Sequence, residues 1–312
     1  MIQTWCEGNS SGIGGASELK RGRLRVAARV LDGRRIAEAV RLHITELARQ
    51  DAVRHGTPAG LAILRVGTDD AASSLYTQTL IRTSAQLGVA ARVLELSETI
   101  ADDALRQQIE ALNADASVQG ILIELPLPAH LSQRTIAETV DPRKDVDGIS
   151  IRSAGNLFLR FPTFVSSTSA AVMELLDRTE IELAGRRAVV VGASNVVGKP
   201  LSFMLLHRDA TVTVCHIFTQ DLAYWTRQAD VLVVAAGSPG LVNGGMIQPG
   251  ATVIDVGINI RADGSVIGDV DYESAAKVAG AISPVPGGVG QLTNLMLLKQ
   301  TVLARSLFEE AE

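Results

Sequence analysis

The stretch that decides the fold is AVVVGASNVVGKPL, residues 188–201. A β-branched run stops at Gly192 and a helical segment follows within a few residues, so backbone N–H groups and a helix N-terminus face the turn. This geometry suits a pyrophosphate, and the GxSxxxG spacing is a variant of a dinucleotide-binding fingerprint. A tight strand-to-helix turn without a ligand gives the same pattern, so the motif alone leaves both interpretations open.

Outward from this turn, apolar strand-like runs alternate with amphipathic helical segments from Val26 onwards. Such alternation indicates parallel βαβ units, whose helices cover the faces of the sheet. The sequence therefore predicts an α/β protein of two domains, with the boundary near residues 160–170. The runs that predict strands are LAILRVG (61–67), RVLEL (92–96), VQGILIELPLP (118–128), ATVTVCH (210–216), ADVLVVAAG (229–237) and ATVIDVGIN (251–259).

The composition narrows the class of protein. The chain has 312 residues, of which 46% are hydrophobic, and this apolar content excludes a mostly disordered chain. Its net charge of -5 gives no overall basic field for nucleic acid, and no apolar run reaches the roughly 18 residues of a membrane span. Cys6 and Cys215 are the two cysteines, and no Cys/His cluster has zinc-ligand spacing. We expect a cytoplasmic protein without metal, nucleic-acid partner or membrane segment.

Six segments together resemble the bifunctional methylenetetrahydrofolate dehydrogenase/methenyltetrahydrofolate cyclohydrolase family. They are VGTDDAASSLY (66–76), VQGILIELPLP (118–128), KDVDG (144–148), VVVGASNVVGKPL (189–201), VIDVGIN (253–259) and PVPGGVGQLT (284–293). The resemblance implies a folate domain, a Rossmann-type nucleotide-binding domain, a cleft between them and a homodimer. The predicted division is a flexible extension (1–24), the folate domain (25–167), the Rossmann-type domain (168–293) and a helix that rejoins the folate domain (294–312).

The resemblance also assigns the folate contacts. Tyr76 matches the tyrosine that stacks on the folate, and Ser73 matches the serine three residues before it. Asp147 matches the aspartate that contacts the pterin, where a carboxylate suits a donor-rich ring edge. The remaining implied substrate-binding residues are Leu80, Leu125, Pro126 and the loop Pro286, Gly287 and Gly288, which matches the loop that closes over the pterin and nicotinamide.

Two departures from the family pattern change the predicted chemistry. The family lysine that activates water in the cyclohydrolase step is Leu80 here, and its glutamine partner is Glu124. We therefore predict that cyclohydrolase activity is lost. Beside leucine and away from a cation, Glu124 is expected to act as a general acid or base, with Asp147 and Tyr76 as the other catalytic residues. An inert, solvent-facing Glu124 is the alternative.

A third departure lies on the nucleotide side. Where NADP-type members carry arginine, serine and a basic residue, this chain has Ala193, Ile217 and Phe218. A 2′-phosphate would lack charge-assisted hydrogen bonds there, so we expect that site to be lost and leave the choice between NAD and NADP open. The implied cofactor-binding residues are Thr168, Gly192, Ser194, Asn195, Val196, Gly237 and Ile258.

Three functions remain possible at this point. The first is an enzyme that binds 5,10-methylenetetrahydrofolate and transfers its one-carbon unit to another small-molecule acceptor, because the folate motifs survive while the lysine does not. The second is a monofunctional NAD(P)-dependent methylenetetrahydrofolate dehydrogenase, because the glycine loop survives as well. The third is a non-catalytic folate-binding subunit.

Overall fold

The structure, a computed structural model, describes residues 27–67 and 71–308, without the side chains of residues 71–74. The predicted extension, residues 1–24, lies outside the described residues. Within the described part, no helix combines the length and the apolar character needed to cross a membrane.

The first half of the chain forms a small parallel sheet with helices on its faces. Its strands lie in the order β3-β2-β4, so that β2 is central and is buried along its whole length. The elements are β1 (Arg29–Val30), α1 (Gly33–His55), β2 (Gly60–Val66), α2 (Ala71–Leu87), β3 (Ala90–Leu96), α3 (Asp102–Ala114), β4 (Gly120–Ile123), α4 (Gln133–Thr139) and α5 (Ile151–Leu159).

The second half, together with β1 from the start of the described chain, forms a six-stranded parallel sheet in the order β1-β11-β8-β7-β5-β6. It also contains a two-stranded antiparallel pair, β9 and β10. Strand order reverses around β5, so its carboxyl end is a topological switch point, where open α/β sheets bind ligands. The elements are α6 (Ser167–Arg178), β5 (Arg187–Val191), α7 (Gly198–Leu206), β6 (Thr211–Cys215), α8 (Leu222–Thr226), β7 (Val231–Val234), β8 (Thr252–Asp255), β9 (Asn259–Ile260), β10 (Val266–Ile267), α9 (Tyr272–Ala275), β11 (Ala281–Ile282) and α10 (Thr293–Leu303). The predicted two-domain α/β fold is confirmed.

The two ends of the described chain join the halves. Strand β1 pairs with β11, and the Leu31 N–H donates to the Ile282 carbonyl at 2.8 Å. Helix α10 packs against both α1 and α6. Leu31 is fully buried in the core, which explains why the chain is held at the larger sheet before α1 begins.

Two buried aspartates organise the loops at the carboxyl ends of β7 and β8. Asp269 accepts hydrogen bonds from the N–H groups of Ala236, Gly237 and Ser238 at 2.6 to 2.8 Å. Asp269 itself is fully buried, and a hydrogen bond to a charged group contributes about 1.5–3 kcal/mol. One carboxylate thus holds the whole turn after β7.

Asp255 has the equivalent role after β8. It accepts from the N–H groups of Gly257, Asp269 and Val270 at 2.9 to 3.0 Å. Burial raises the pKa of Asp255 to about 6, although these hydrogen bonds act in the opposite direction. A Cβ on Gly268 would lie 1.8 Å from Oδ2 of Asp255, so only glycine fits at position 268.

We expect Asp269→Ala to lower the free energy of unfolding by about 3 kcal/mol or more, because it leaves three amides without an acceptor. Urea denaturation measures this change. Asp271→Ala is the matched control, because Asp271 is exposed and its side chain caps nothing. Equal stability of the two variants would contradict the assigned role.

Candidate active site

A cleft of about 700 Å³ is lined by residues from both halves of the chain. On the folate side it contains the predicted residues Tyr76, Glu124, Leu125 and Asp147. On the nucleotide side it contains the predicted residues Thr168, Val196, Gly237 and Ile258. The structure therefore brings the principal predicted residues of both sites to one cavity.

Tyr76 lies on α2 and is partly exposed to this cleft. The pKa of its phenol is raised, mainly by burial and further by the charges of Asp147 and Glu124. The hydroxyl therefore keeps its proton at neutral pH and is available as a hydrogen-bond donor beside two carboxyl groups.

Asp147 lies in the turn before α5 and is tied to the start of α6. The Ser167 N–H donates to its Oδ1 atom at 2.8 Å. Burial nevertheless raises the pKa of Asp147 to about 6, and this effect exceeds the opposite one of the hydrogen bonds from Ser167. Asp147 can therefore hold or release a proton near neutral pH, which suits a general acid or base.

Glu124 directly follows β4 and lies in the cleft as predicted, but its surroundings differ from those that the sequence suggested. Its Oε2 atom lies 3.2 Å from Nε of Arg65, and its Oε1 atom accepts a hydrogen bond from the Thr77 hydroxyl. The expectation that Glu124 is away from a cation is wrong, because Arg65 reaches it from the neighbouring strand. Its side chain is 10% exposed, so the solvent-facing alternative is wrong as well.

Leu80 differs from its expected position at the folate. It is fully buried in the main core and is not part of the cleft lining, because an apolar side chain on this face of α2 packs inward. Pro126 follows a cis peptide bond and also lies outside the lining. Ser73 lies on α2, and its side chain is outside the described part of the chain.

The loop containing Pro286, Gly287 and Gly288 packs on the start of α1 rather than lining the cleft. The Gly33 N–H donates to the Gly287 carbonyl at 2.9 Å, and a Cβ on Gly33 would lie 2.0 Å from the Gly288 oxygen. The residue that follows, Val289, does line the cleft. This loop therefore positions the cleft wall through its backbone.

The glycine turn after β5 is shaped for close approach. Gly192 has φ +122°, and a Cβ there would lie 2.1 Å from the Ala235 carbonyl oxygen. The Ser194 hydroxyl accepts from the N–H groups of Val197 and Gly198 at 3.0 and 3.4 Å, which fixes the start of α7. Asn195 and Val196 line an adjoining cavity of about 500 Å³.

This turn fits the pyrophosphate of a dinucleotide. Beyond β6, Ile217 and Phe218 are 92% and 85% exposed and carry no charge. Among the residues whose side chains are described, no group of three or more His, Cys, Asp or Glu side chains could hold a metal ion.

Sequence reasoning missed Arg65 and Thr77. The signal for Arg65 was present, because it is the single charge in LAILRVG, a run otherwise typical of a strand buried on both faces. Thr77 gave no such signal, since a polar residue on an amphipathic helix is usually exposed. Both became visible as site residues only through the three-dimensional neighbourhood of Glu124.

The comparisons with known proteins agree with this geometry. Residues 31–147 match the family model of the tetrahydrofolate dehydrogenase/cyclohydrolase catalytic domain, and residues 166–308 match that of its NAD(P)-binding domain. The chain belongs to the tetrahydrofolate dehydrogenase/cyclohydrolase family.

Individual relatives cover nearly the whole of both chains. The bifunctional protein FolD of Halothermothrix orenii is 46% identical over 279 residues, which is 89% of this chain and 98% of the relative. The FolD structure from Campylobacter jejuni superposes with a TM-score of 0.86 at 41% identity, covering 89% and 98% of the two chains. The Trypanosoma brucei enzyme, solved with NADP and an inhibitor, gives 0.84 at 36% identity, covering 92% and 99%.

Asp147→Asn should change how stability depends on pH. Between the ordinary pKa of 3.8 and the folded pKa of about 6, the native protein holds a proton that the unfolded chain has lost. The unfolding free energy of the wild type should therefore fall relative to the variant as the pH rises from 4 to 6, by about 1–3 kcal/mol. Urea denaturation at pH 4, 5, 6 and 7 measures this. Asp255 is present in both proteins, so its own pH-dependent contribution cancels when their unfolding free energies are subtracted. A difference between the two proteins that does not change with pH would contradict the raised pKa of Asp147.

Proposed function

We propose that this member of the family binds 5,10-methylenetetrahydrofolate, lacks cyclohydrolase activity and transfers the methylene carbon to another small-molecule acceptor. The observation that carries the proposal is the arrangement around Glu124. The position of the family lysine is filled by the buried Leu80, and a carboxylate paired with Arg65 lines the cleft instead. The expected homodimer and cytoplasmic location stay predictions from the sequence.

The loss of cyclohydrolase activity follows from the position of Leu80. Hydrolysis of a methenyl group needs a side chain that can activate water, and leucine can neither accept nor donate a proton. Arg65 contacts Glu124 and keeps its proton under all ordinary conditions, so it cannot replace a lysine that exchanges one. Among the described residues that line the cleft, Glu124, Asp147 and Tyr76 carry the groups that can exchange protons on the folate side.

Methylene transfer needs only positioning and proton movement. Breaking the N10–CH₂ bond leaves its electron pair on N10, which takes a proton, and generates an electrophilic iminium at N5. A nucleophile of the acceptor then bonds to the carbon, the π pair returns to N5, and the proton of the nucleophile passes to a carboxylate. Protonation of N5 allows the N5–CH₂ bond to break, and a second nucleophilic atom of the acceptor bonds to the carbon and loses its own proton.

The carbon keeps the oxidation level of formaldehyde throughout these steps. Tetrahydrofolate gains the two protons that the acceptor loses, so neither a hydride acceptor nor a reductant is consumed. Within the described part of the chain, Glu124 and Asp147 are the cleft carboxyl groups that can exchange these protons, and Tyr76 can donate a hydrogen bond beside them. Holding the folate and the acceptor in one cavity also lowers the entropic cost of bringing them together, which raises the rate.

The second candidate is a monofunctional dehydrogenase, favoured by the intact turn at Gly192. Gly192, Ser194 and Gly237 would hold the dinucleotide, and a bound nicotinamide would supply hydride acceptance. Asp269 would fix the Gly237 loop, since it accepts from the Gly237 N–H. The absence of charge at Ala193, Ile217 and Phe218 supports NAD over NADP for this candidate.

Labelled carbon distinguishes the candidates. Purified protein is incubated with 5,10-methylenetetrahydrofolate and ¹³C-formaldehyde, with and without NAD or NADP, and the folates are identified by mass spectrometry. We expect exchange of the methylene carbon at least about tenfold above the protein-free rate, without a nucleotide, and near-background exchange with Glu124→Gln.

Three other outcomes would contradict the proposed methylene transfer or the proposed loss of cyclohydrolase activity. Nucleotide-dependent oxidation of the folate would establish the dehydrogenase. Hydrolysis of added methenyltetrahydrofolate above background would refute the loss of cyclohydrolase activity. Folate binding by calorimetry without any turnover would leave the non-catalytic subunit.

Ala193→Arg should create a preference for the 2′-phosphate. A new charge-assisted hydrogen bond is worth about 1.5–3 kcal/mol, so the affinity for NADPH relative to NADH should rise roughly 10- to 100-fold. Wild-type protein and Ala193→Gln are expected to bind the two nucleotides with affinities within about threefold of each other. Fluorescence titration measures the affinities for NADPH and NADH. A wild-type preference for NADPH would contradict the predicted loss of the 2′-phosphate site.

A further inference from the structure

We propose that Arg65 is a positioning residue of the catalytic centre, which with Thr77 holds Glu124 as the carboxylate that accepts a proton from the incoming nucleophile. The inference rests on the proposed function. The cation beside the site is Arg65 of β2, whereas the family pattern places a lysine on α2, at the position of Leu80. Arg65 itself touches Glu124 rather than the reacting atoms.

The strand register brings this group together. In the central strand β2, Arg65 lies opposite Glu95 of β3. On the other side Leu64 lies opposite Ile123, the last residue of β4, and the Glu124 N–H donates to the Leu64 carbonyl at 3.0 Å. Glu95, Arg65 and Glu124 therefore form one row across three strands, with Glu124 at the end that reaches the cleft.

The burial of Arg65 and of its neighbours distinguishes the contact with Glu124 from the contact with Glu95. Its side chain is 6% exposed in a strand whose other residues are apolar or glycine, and burying a charge costs several kcal/mol unless it is paired. Glu95 lies 3.4 Å away but is 76% exposed, so water screens that contact. Glu124 lies 3.2 Å away and is 10% exposed, so of these two carboxylates Glu124 is the one that faces Arg65 shielded from water.

Thr77 completes the arrangement from α2. Its buried hydroxyl donates to Oε1 of Glu124, while the Arg65 guanidinium is ion-paired with Oε2, so each carboxylate oxygen contacts a side chain from a different element. Contacts from two different elements fix the orientation of this carboxyl group. Thr77 directly follows Tyr76, which places the anchored carboxylate beside the predicted folate platform.

This arrangement suits proton acceptance in the transfer step. When the nucleophile bonds to the iminium carbon, its proton passes to a carboxylate oxygen of Glu124, and the positive charge of the iminium is lost as its electron pair returns to N5. A fixed carboxylate needs no reorganisation at that moment. A flexible or protonated Glu124 would have to turn or lose a proton first.

The test compares Arg65→Met, Arg65→Lys and the control Glu95→Gln, which removes the exposed partner of the same arginine. The measurements are kcat and KM for carbon exchange, and the pH profile of tetrahydrofolate affinity by calorimetry. Arg65→Met should lower kcat about 100-fold with KM changed less than about threefold, and move the acidic limb of both pH profiles to higher pH. Arg65→Lys should recover at least about tenfold of the lost rate, and Glu95→Gln should match the wild type.

Because Arg65→Met removes the cation beside a buried carboxylate, it can fail to fold. Arg65→Met combined with Glu124→Gln removes both charges, and this double variant should fold, bind tetrahydrofolate and exchange no carbon above the rate of Glu124→Gln alone. An Arg65→Met protein with wild-type kcat and pH profiles would overturn the proposal, as would a double variant with activity. If the wild type binds folate but exchanges no carbon, the transferase proposal fails while the pH profile of binding still decides the role of Arg65.

Discussion

All strands of the two main sheets run parallel to their neighbours, and this constraint determines where chemistry can occur. Within each sheet the parallel strands end at a common edge, so the residue after β4 lies at that edge of the smaller sheet, and the residues after β5, β7 and β8 lie at that edge of the larger sheet. Glu124, Gly192, Ala235 and Val256 each directly follow one of these strands. The cleft is lined by residues from both of these edges, and the side chains there decide what chemistry it can support.

The two cleft carboxyl groups have different surroundings. Glu124 faces a buried guanidinium and a hydroxyl, whereas Asp147 has the Ser167 amide and a pKa raised to about 6 by burial. Neighbouring acids whose environments differ in this way can divide the roles of proton donor and acceptor between them. Tyr76 adds a hydroxyl that stays protonated beside both.

Local sequence signals predicted much of this organisation, and non-local contacts account for the rest. The turn at Gly192 and the alternation of strands and helices are local patterns, and both indicated the correct fold. The pair of Arg65 and Glu124 depends on the register between β2 and β4, which are separated by two helices and a strand. The packing of Gly287 on Gly33 and the burial of Leu80 likewise depend on elements that meet only after folding.

The pairing of β1 with β11 bears on how the chain can be divided. A recombinant fragment that begins after residue 160 would contain the glycine turn and five of the six strands, but it would lack β1. The backbone groups of β11 that pair with Arg29 to Leu31 would then form an open sheet edge, which favours aggregation. A circular permutant that opens the chain at the exposed stretch 158–161 would retain β1 beside β11, and the edge of β11 would stay covered.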